Sequence, residues 1–475
     1  MIVNQATAAP GPALVDAATG DSWDYSRLMA AVREAARGLA RPEKALVFCL
    51  CRNDPATVIA YFAALEAGHA AMLLDAAVGG DVLGDLLARY QPEFVLSSAA
   101  PAAANAALEG AYLPLEITWH GFARERSKAS DGPVERNLGV LLPTSGTTGS
   151  PKFVRLATMA VTSNAASISS ALAIGPSERA VSSLPLHYSY GLSVLNSHLA
   201  RGACIVLTER GPLEQAFWDV VREHGCTSFA GVPYSYQLLD RIGFDRFDLP
   251  SLKTMTQAGG KLDDGRVERF HGLMAARGGR FFVMYGQTEA TARIAILPSD
   301  SLPGKLGSAG LAIPGGRLEI EVDGIPVQRP GVTGEIVYSG PNVMMGYATG
   351  RSDLARGDEM GGRLHTGDLG HLDGDGYLYI SGRTKRISKV SGYRVDLDEV
   401  EARLARNGPT AVVGSDELIV AYCEYGDDES LQRERMELAH SLSLHFQVIV
   451  LRRVGALPRL PSGKVDYAAL EALVR

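Results

Sequence analysis

Two hydrophobic periods alternate along most of the chain. In "YSRLMAAVREAARGLA" (residues 25–40) and "PATVIAYFAALEAGHAAMLL" (residues 55–74) apolar residues recur three or four positions apart, which predicts helices. Short unbroken apolar runs such as "ALVFCLC" (residues 45–51) and "RFFVMYG" (residues 280–286) predict buried strands. Because helical and strand patterns follow one another repeatedly, the sequence predicts parallel βαβ units and an α/β fold.

The pattern changes twice towards the C-terminus. Between about residues 306 and 380 short alternating strands with glycine turns, such as "RLEIEVDG" and "GEIVYSG", predict a β-rich subdomain with antiparallel pairing. Beyond it a cationic segment precedes a helix whose N-cap is Asp396 or Asp398, followed by further strands and helices. We therefore predict a large domain of mixed and parallel sheets with helices over residues 1–382, which includes the β-rich subdomain, and a small α+β domain over residues 383–475.

Composition supports a globular protein of more than one domain. The chain has 475 residues, above the limit of about 250–300 residues for a single core. Apolar residues make up 46% and charged residues 21%, and the net charge of −7 gives no basic footprint for nucleic acid. The sequence has neither a secretory signal pattern nor an apolar run near the roughly 20 residues that a membrane span needs, so we expect a cytoplasmic protein. Its five scattered cysteines predict buried, reduced thiols.

The stretch "TSGTTGSPK" has the composition of an anion site. Two glycines free the backbone to turn its N–H groups inward, the hydroxyls add donors, and a lysine adds charge. It is not a Walker A loop, because Gly146 and Gly149 are too close and Ser-Pro precedes the lysine. An ordinary polar loop is the alternative. The candidate anion ligands are Thr144, Ser145, Gly146, Thr147, Thr148, Gly149 and Lys152.

Three further stretches carry candidate chemistry. In "VMYGQTEAT" the hydroxyl of Thr288 and the carboxylate of Glu289 suit Mg²⁺, although a helix cap would use the same residues. In "HTGDLGHLDGDGYLYISGR" Asp368 could accept from the vicinal hydroxyls of a ribose, whereas Asp-Gly hairpin turns are the structural alternative. Lys464 in "LPRLPSGKVDY" lies in a Pro/Gly-bounded loop, where a lysine by itself is typically solvated.

The order and spacing of these stretches resemble the adenylate-forming (AMP-binding, acyl-CoA synthetase-like) superfamily over essentially the full length. "GEIVYSGPNVMMGY" (residues 334–347) also matches the family. The resemblance implies a phosphate loop at residues 145–152, catalytic roles for Lys464, Glu289, Thr288 and Lys389, and a thiol tunnel at Gly392. By the same resemblance, the nucleotide contacts include Gly259, Gly260, Tyr285, Gly286, Gln287, Asp368 and Arg383, and Glu289 binds Mg²⁺.

The resemblance also implies a two-step reaction. A substrate carboxylate attacks the α-phosphorus of ATP to give acyl-AMP and pyrophosphate, and a thiol, that of coenzyme A, then displaces AMP. The first step brings two anions together, so Mg²⁺ at Glu289 and the ammonium of Lys464 would offset the charge. In the family the small domain is mobile and rotates about the residue that matches Lys385, which withdraws the lysine between the two steps.

The substrate and the acceptor are less defined. Amino-acid-activating members carry an acidic residue in the stretch that here reads "LPLHYSYGL" (residues 184–192), so we expect a carboxylic acid without an α-amino group. Tyr190 is more readily explained as a core aromatic residue. The candidates for the acyl pocket or its gate are His187, Tyr188, Val232, Tyr234 and Ala258.

The compact C-terminal domain leaves a carrier-protein phosphopantetheine as an alternative acceptor. A cationic cluster could meet the phosphates of coenzyme A or an acidic carrier protein, whereas a solvated loop is the simpler explanation. The cluster consists of Lys385, Arg386, Lys389 and Arg394. A non-catalytic nucleotide-binding protein and a Ser-Lys amidase are less favoured, and the sequence leaves the oligomeric state open.

Overall fold

A computed structural model describes residues 11–99, 108–115, 122–143, 152–383, 386–390, 393–415, 418–442, 444–460 and 463–474. Its internal contacts divide the chain into two compact units. The first unit comprises Met1–Gly146, Ser150–Arg317 and Ser339–Leu364, and the second comprises Thr147–Gly149, Leu318–Tyr338 and His365–Arg475. About half of the β-rich segment, residues 318–338 and 365–380, therefore groups with the C-terminal part. The domain boundary after residue 382 stays a prediction.

One sheet of the first unit has eight described strands in the order β20-β9-β8-β4-β3-β5-β7-β6. Its centre is parallel, since β3 pairs with β4 and β5 and β4 pairs with β8. Antiparallel strands flank this centre on both sides. The strands are β3 (Leu46–Cys51), β4 (Ala70–Asp75), β5 (Phe94–Ser97), β6 (Tyr112–Pro114), β7 (Phe122–Arg126), β8 (Leu138–Pro143), β9 (Phe153–Ala157) and β20 (Gly346–Ala348).

A second sheet of this unit has nine described strands in the order β16-β15-β14-β13-β12-β10-β11-β1-β2. Its six strands from β14 to β1 are parallel, and antiparallel strands lie at each end. The strands are β1 (Pro12–Asp16), β2 (Ser22–Asp24), β10 (Arg179–Val181), β11 (Cys204–Leu207), β12 (Ser228–Gly231), β13 (Thr254–Gln257), β14 (Arg280–Tyr285), β15 (Ala295–Leu297) and β16 (Leu311–Ala312).

Helices connect the parallel strands, as the alternating pattern predicts. The first begins where the Asp24 carboxylate accepts from the Arg27 N–H at 2.6 Å, and the second where Asp54 accepts from Thr57 at 2.8 Å. The helices of the first unit are α1 (Tyr25–Gly38), α2 (Pro55–Glu66), α3 (Gly80–Tyr90), α4 (Thr158–Ala171), α5 (Ser189–Leu199), α6 (Gln215–Glu223), α7 (Pro233–Ile242) and α8 (Asp264–Ala276).

The predicted helix over residues 55–74 is wrong beyond Glu66. The chain turns at Gly68, whose φ of +81° favours glycine, and enters β4. Both α2 and β4 are almost wholly buried, so nearly every position in them is apolar. The spacing of apolar residues therefore does not change where the helix ends and the strand begins. The Gly-His pair at residues 68 and 69 was the available signal.

The second unit contains most of a five-stranded sheet and a small α+β region. The sheet has the order β18-β17-β19-β21-β22, and β21 pairs with β22 antiparallel. Its strands are β17 (Arg317–Val322), β18 (Ile325–Val327), β19 (Gly334–Ser339), β21 (Arg363–Leu372) and β22 (Leu378–Arg383). The α+β region contains β23 (Ile387–Val390), β24 (Tyr393–Asp396), α9 (Leu397–Leu404), β25 (Thr410–Gly414), β26 (Ile419–Cys423), α10 (Asp428–Ser441), β27 (Ile449–Arg453) and α11 (Tyr467–Ala472).

Two predictions from composition meet the structure here. The cysteines at positions 49, 51, 204, 226 and 423 are all buried and unbridged, as predicted. Within the described ranges no helix combines the length and the apolar character that crossing a membrane would require. The cytoplasmic location stays a prediction.

Candidate functional site

The turn after β14 is built around a glycine without space for a side chain. A Cβ atom at Gly286 would lie 1.9 Å from the carbonyl oxygen of Ala292, so the chain folds back on itself only with glycine there. A short 3₁₀-helix, Thr288–Ala290, follows directly. The predicted nucleotide contacts Tyr285, Gly286 and Gln287 therefore lie at the end of β14 and at the entry to this turn.

A strained residue follows the 3₁₀-helix. Thr291 has φ +66° and ψ −50°, and the Ala292 N–H bonds the Ala290 carbonyl oxygen at 2.7 Å, which is the rare γ-turn geometry. Buried Asn342 holds this turn: its amide donates to the carbonyl oxygens of Ala290 and Arg293, and its own carbonyl accepts from the Thr291 hydroxyl at 2.7 Å. The strain and the clamp together fix the segment that carries Glu289.

Tyr347 contacts both Glu289, the predicted magnesium ligand, and Lys152 of the predicted phosphate loop. Its hydroxyl donates to Glu289 Oε1 at 2.9 Å, and Lys152 Nζ lies 5.6 Å from the centre of its ring. Strand β20 places Tyr347 there by pairing with β9, which begins directly after Lys152. Burial and the neighbouring Glu289 raise the pKa of Tyr347, so the phenol stays protonated and keeps donating. The structure thus brings Lys152 and Glu289 to one side chain.

Thr288 contacts the start of α5, where its hydroxyl lies 3.2 Å from that of Ser189. Thr288 and Glu289 offer adjacent hard oxygen donors. Among the described residues no group of three His, Cys, Asp or Glu side chains could hold a metal. Mg²⁺ commonly takes one or two carboxylates and completes its shell with phosphates and water. These residues therefore fit a magnesium ion that arrives with a nucleotide, and Glu289 is the candidate ligand.

Removal of the Tyr347 hydroxyl should impair this arrangement. We expect Tyr347→Phe to lower acid-dependent ATP–pyrophosphate exchange about tenfold, because a hydrogen bond to a charged group contributes about 1.5–3 kcal/mol. The magnesium concentration for half-maximal exchange should also shift, since Glu289 loses the group that orients it. Wild-type exchange and magnesium dependence in a stable Tyr347→Phe protein would contradict this positioning role.

The predicted acyl-pocket residues lie at the start of α5 and beside β12 and β13. His187 Nε2 is 3.9 Å from Asp75 Oδ2, and among the described residues its buried Nδ1 has no hydrogen-bond partner. Burial lowers the pKa of His187, and Asp75 opposes this in part. The Tyr188 ring meets the Tyr190 ring edge-on at 6.4 Å, and burial raises the pKa of Tyr188. Val232 and Ala258 are buried and Tyr234 is partly exposed.

A glycine pair follows β13. Gly259 has φ +88°, a conformation that favours glycine. A Cβ atom at Gly260 would lie 3.2 Å from Pro233, and the carbonyl oxygen of Gly260 accepts from buried Gln257 at 2.6 Å. The glycines predicted to contact the nucleotide are thus packed closely against the start of α7.

The second unit contains the predicted ribose residues as a cross-strand pair. Asp368 in β21 is paired with Arg383 in β22, and Arg383 Nε donates to Asp368 Oδ1 at 2.8 Å. The Thr366 hydroxyl accepts from the Asp368 N–H, and Gly367 between them has φ +71°. Asp368 is thus a nearly buried carboxylate in a fixed orientation, which suits the predicted binding of vicinal hydroxyls.

Lys464 lies in a tight turn near the C-terminus. The Leu460 N–H donates to the Lys464 carbonyl oxygen and the Gly463 N–H donates to the Leu460 carbonyl oxygen, both at 2.8 Å. Directly after this turn α11 begins, and its first residue, Tyr467, donates to Glu401 at 2.7 Å. The turn is therefore attached to the packed α+β region.

Arg386, one of the four predicted cationic residues, has partners inside its own unit. It binds Asp398 at 2.7 Å and Glu401 at 2.9 Å, donates to the Val412 carbonyl oxygen at 2.6 Å, and lies over the Tyr467 ring. This contact set indicates a structural role and makes Arg386 a poor candidate for the phosphates of an acceptor.

Several predicted residues lie outside the described part of the chain. These are Thr144, Ser145, Gly146, Thr147, Thr148, Gly149, the hinge candidate Lys385, the tunnel candidate Gly392 and the side chains of Lys389 and Arg394. Their roles stay predictions. Conversely, sequence reasoning missed Tyr347, Ser189, Asn342 and Arg293, which contact the predicted residues or their segments. Tyr347 and Asn342 lie in the matched stretch "GPNVMMGY" and Ser189 lies in "LPLHYSYGL", so these three had a signal and Arg293 had none.

Comparison with known proteins identifies the family. A model of the AMP-binding enzymes matches residues 4–348. The chain is 32% identical over 350 residues to a sulfoacetate–CoA ligase of Cupriavidus necator, a match that covers 70% of this chain and 66% of that protein. It is 30% identical over 400 residues to a feruloyl-CoA synthase of an Amycolatopsis species, covering 81% and 78% of the two chains. An amide bond synthetase from Marinactinospora thermotolerans is 26% identical, covers 100% and 99% of the two chains, and has a TM-score of 0.79.

The chain therefore belongs to the AMP-binding enzymes, the adenylate-forming superfamily that its motifs resemble. The predicted α/β architecture is confirmed by the sheets and by the solved relative. The predicted enzyme class, an AMP-forming acid–thiol ligase, agrees with the two ligases above. The residue roles remain to be tested.

Proposed function

We propose that this enzyme activates a carboxylic acid without an α-amino group as an acyl-AMP and transfers the acyl group to a thiol, that of coenzyme A. The observation that carries the proposal is the contact of Tyr347 with both Glu289 and Lys152. It joins the predicted metal carboxylate to the predicted phosphate loop in a chain that belongs to the AMP-binding enzymes.

In the first step a carboxylate oxygen forms a bond to the α-phosphorus of ATP and the bond to pyrophosphate breaks. Both reactants are anionic, so charge dominates the barrier. Magnesium, when bound with ATP, offsets charge on the phosphates. Lys152 offers a cation beside the nucleotide, Asp368 orients the ribose, and Lys464 supplies the ammonium to the reacting oxygens.

In the second step a thiol attacks the acyl carbonyl carbon and AMP leaves. Coenzyme A is the proposed acceptor, since both ligases above act on it by name. A carrier-protein phosphopantetheine is the alternative from the sequence. Because one solved relative is named an amide bond synthetase, an amine is a further acceptor to test.

ATP–pyrophosphate exchange with a panel of aliphatic, aryl and dicarboxylic acids tests the first step. Coenzyme A, a phosphopantetheinylated carrier protein and a primary amine are then offered to the acyl-AMP in parallel. We expect acid-dependent exchange and product formation with coenzyme A. If exchange occurs but the acyl group is transferred to the carrier protein or the amine and not to coenzyme A, the proposed acceptor is wrong. No exchange with any acid would contradict the proposal.

The absence of an acid in residues 184–192 gives a specific expectation for substrate choice. The described residues from Leu184 to Leu192 include His187, whose pKa is lowered by burial, and several hydroxyls but no carboxylate. The stretch itself offers an α-ammonium no counter-ion, and the Asp75 carboxylate beside it lies 3.9 Å from His187 Nε2. We expect α-amino acids to exchange at least about a hundredfold more slowly than their desamino analogues. A faster rate with any α-amino acid than with its desamino partner would contradict this.

A further inference from the structure

Arg293 is a charged residue buried in the first unit, and the part of the chain that the structure describes gives it no acidic partner. Only 2% of it is exposed. Among the described residues no carboxylate lies within ion-pair distance, and Tyr190 and Tyr188 are its only electrostatic partners. Burial lowers the pKa of the guanidinium because it disfavours the charged form. An uncompensated buried charge is strongly unfavourable, so Arg293 needs an explanation.

The three hydrogen bonds of its guanidinium are weak, since one goes to a thioether sulfur and the two to oxygen are at least 3.3 Å long. Nε points to Met284 Sδ at 3.3 Å, Nη1 to the Ala292 carbonyl oxygen at 3.3 Å, and Nη2 to Ser193 Oγ at 3.5 Å. A guanidinium carries five N–H donors in a fork that matches a carboxylate or a sulfonate. The described surroundings therefore leave most of its donor capacity poorly used.

The guanidinium lines a small cavity between α5 and the second sheet. Tyr190, Ser193, Val194, Ser197 and His198 form one face of α5 towards it, at the spacing of successive helical turns. The Tyr190 hydroxyl bonds Thr256, and the ring lies with its centre 4.0 Å from Arg293 Cζ. The cation is thereby held in place on a fixed aromatic face.

The first turn of α5 contacts both the cavity lining and the segment of the proposed adenylation site. Ser189 and Tyr190 are consecutive residues of α5, and they contact Thr288 and Arg293 respectively. Glu289 and Arg293 lie on one segment, with the strained turn at Thr291 between them. A molecule whose reacting carboxylate lies near Thr288 would thus extend along the first turn of α5 towards the guanidinium.

We infer that Arg293 is the receptor for a second anionic group on the acid substrate, and that the enzyme activates short dianionic acids such as dicarboxylates or sulfocarboxylates. This inference rests on the proposed adenylation of an acid and specifies its substrate class. The second group would form a two-pronged ion pair with the guanidinium and stay unreacted. It would supply the counter-charge that the described part of the protein does not.

The cavity also limits the size of that group. Its volume is about 20 Å³, roughly the space of one water molecule, so Met284 or Val194 must rotate to admit an anionic group. Glu178 also lines the cavity, where its carboxylate accepts from the Thr227 hydroxyl. Its electrostatic effect falls on His198 and not on Arg293, so it does not replace the proposed ligand.

The test compares pairs of acids that differ only in the second acidic group. ATP–pyrophosphate exchange is measured with succinate against butanoate, glutarate against pentanoate, and isophthalate against benzoate. For at least one pair we expect kcat/KM for the dianionic member to exceed that of its partner by about a hundredfold, the scale of discrimination when a buried polar receptor is left unpaired. If the dianionic member is not preferred in any pair, the inference is overturned, even though exchange itself would still support adenylation.

Variants then assign the preference to Arg293. Arg293→Met should lower the preference for the dianionic member at least tenfold and accelerate exchange with the monoanionic members, whereas Arg293→Lys should retain part of the preference. Arg280→Met is the matched control, since Arg280 lies over Phe282 outside the cavity, and it should keep the wild-type ratio. An unchanged ratio in Arg293→Met would overturn the inference. If Arg293→Met does not fold, Arg293→Lys takes its place. A wild-type ratio of kcat/KM between the dianionic and monoanionic acids in Arg293→Lys would then overturn the inference, and a lower ratio would support it. No exchange with any acid would instead contradict the proposed function.

Discussion

Lys464→Ala should lose two to three orders of magnitude in acyl-AMP formation while it still converts supplied acyl-AMP to thioester. The proposed role of Lys464 is to stabilise charge between the attacking carboxylate and the α-phosphate, and removal of one such partner typically costs about a hundredfold to a thousandfold. The tight turn that carries it is closed by reciprocal backbone bonds between Leu460, Gly463 and Lys464. These bonds do not use the side chain, so the fold should survive the substitution.

Each half-reaction is measured separately, by pyrophosphate exchange and by thioester formation from synthetic acyl-AMP. Lys464→Arg should recover part of the exchange, because it returns the charge in a different shape. Lys128→Ala, at an exposed lysine outside the site, should behave as the wild type. An equal loss in both half-reactions would refute a role that is confined to adenylation.

Lys385→Pro should impair thioester formation and largely spare acyl-AMP formation, the reverse of the effect expected for Lys464→Ala. Only Thr384 and Lys385 lie between Arg383, which is paired to Asp368 across the sheet, and Arg386, which is bound by Asp398 and Glu401. A backbone rotation between these two fixed residues must therefore use those two positions. Proline fixes φ near −65° and restricts the preceding residue.

If the adenylation conformation accepts that φ, exchange should stay within about tenfold of the wild type while thioester formation falls by about a hundredfold or more, as for a blocked conformational step. Lys385→Ala is the control, and it should spare both steps because the backbone and not the ammonium is required. Normal thioester formation by Lys385→Pro would show that the small domain does not pivot at this residue.

Much of the fold could be predicted because strand and helix differ in period. The β14 run and the α1 pattern were each predicted within two residues of their bounds. The failure at residues 55–74 has a physical cause, since α2 and β4 are both buried on all sides and no polar face marks the change. The grouping of residues 318–338 with the C-terminal part depends on sheet pairing, which a local pattern does not contain.

Some residues of the candidate site could likewise be proposed from the sequence, whereas others could not. Thr288, Glu289 and Asp368 could be proposed as candidates because each lies in a short stretch with a recognisable order. Tyr347 was missed because its contact with Glu289 depends on the antiparallel pairing of β20 with β9. Arg293 was missed because an arginine within an apolar stretch has no local sign of burial. Its burial, and the lack of an acidic partner among the described residues, appear only in three dimensions.

The central claim, that the acid is activated through its own carboxylate oxygen on the α-phosphorus, has one direct test. The acid that gives the highest exchange rate is labelled with ¹⁸O in its carboxylate and converted to the coenzyme A thioester in unlabelled water. If an acyl-AMP forms, the carboxylate oxygen that bonds phosphorus leaves with the nucleotide, so each AMP should carry one ¹⁸O by mass spectrometry. The pyrophosphate should carry none. Thioester formation with unlabelled AMP, or with the label in inorganic phosphate or pyrophosphate, would contradict the account.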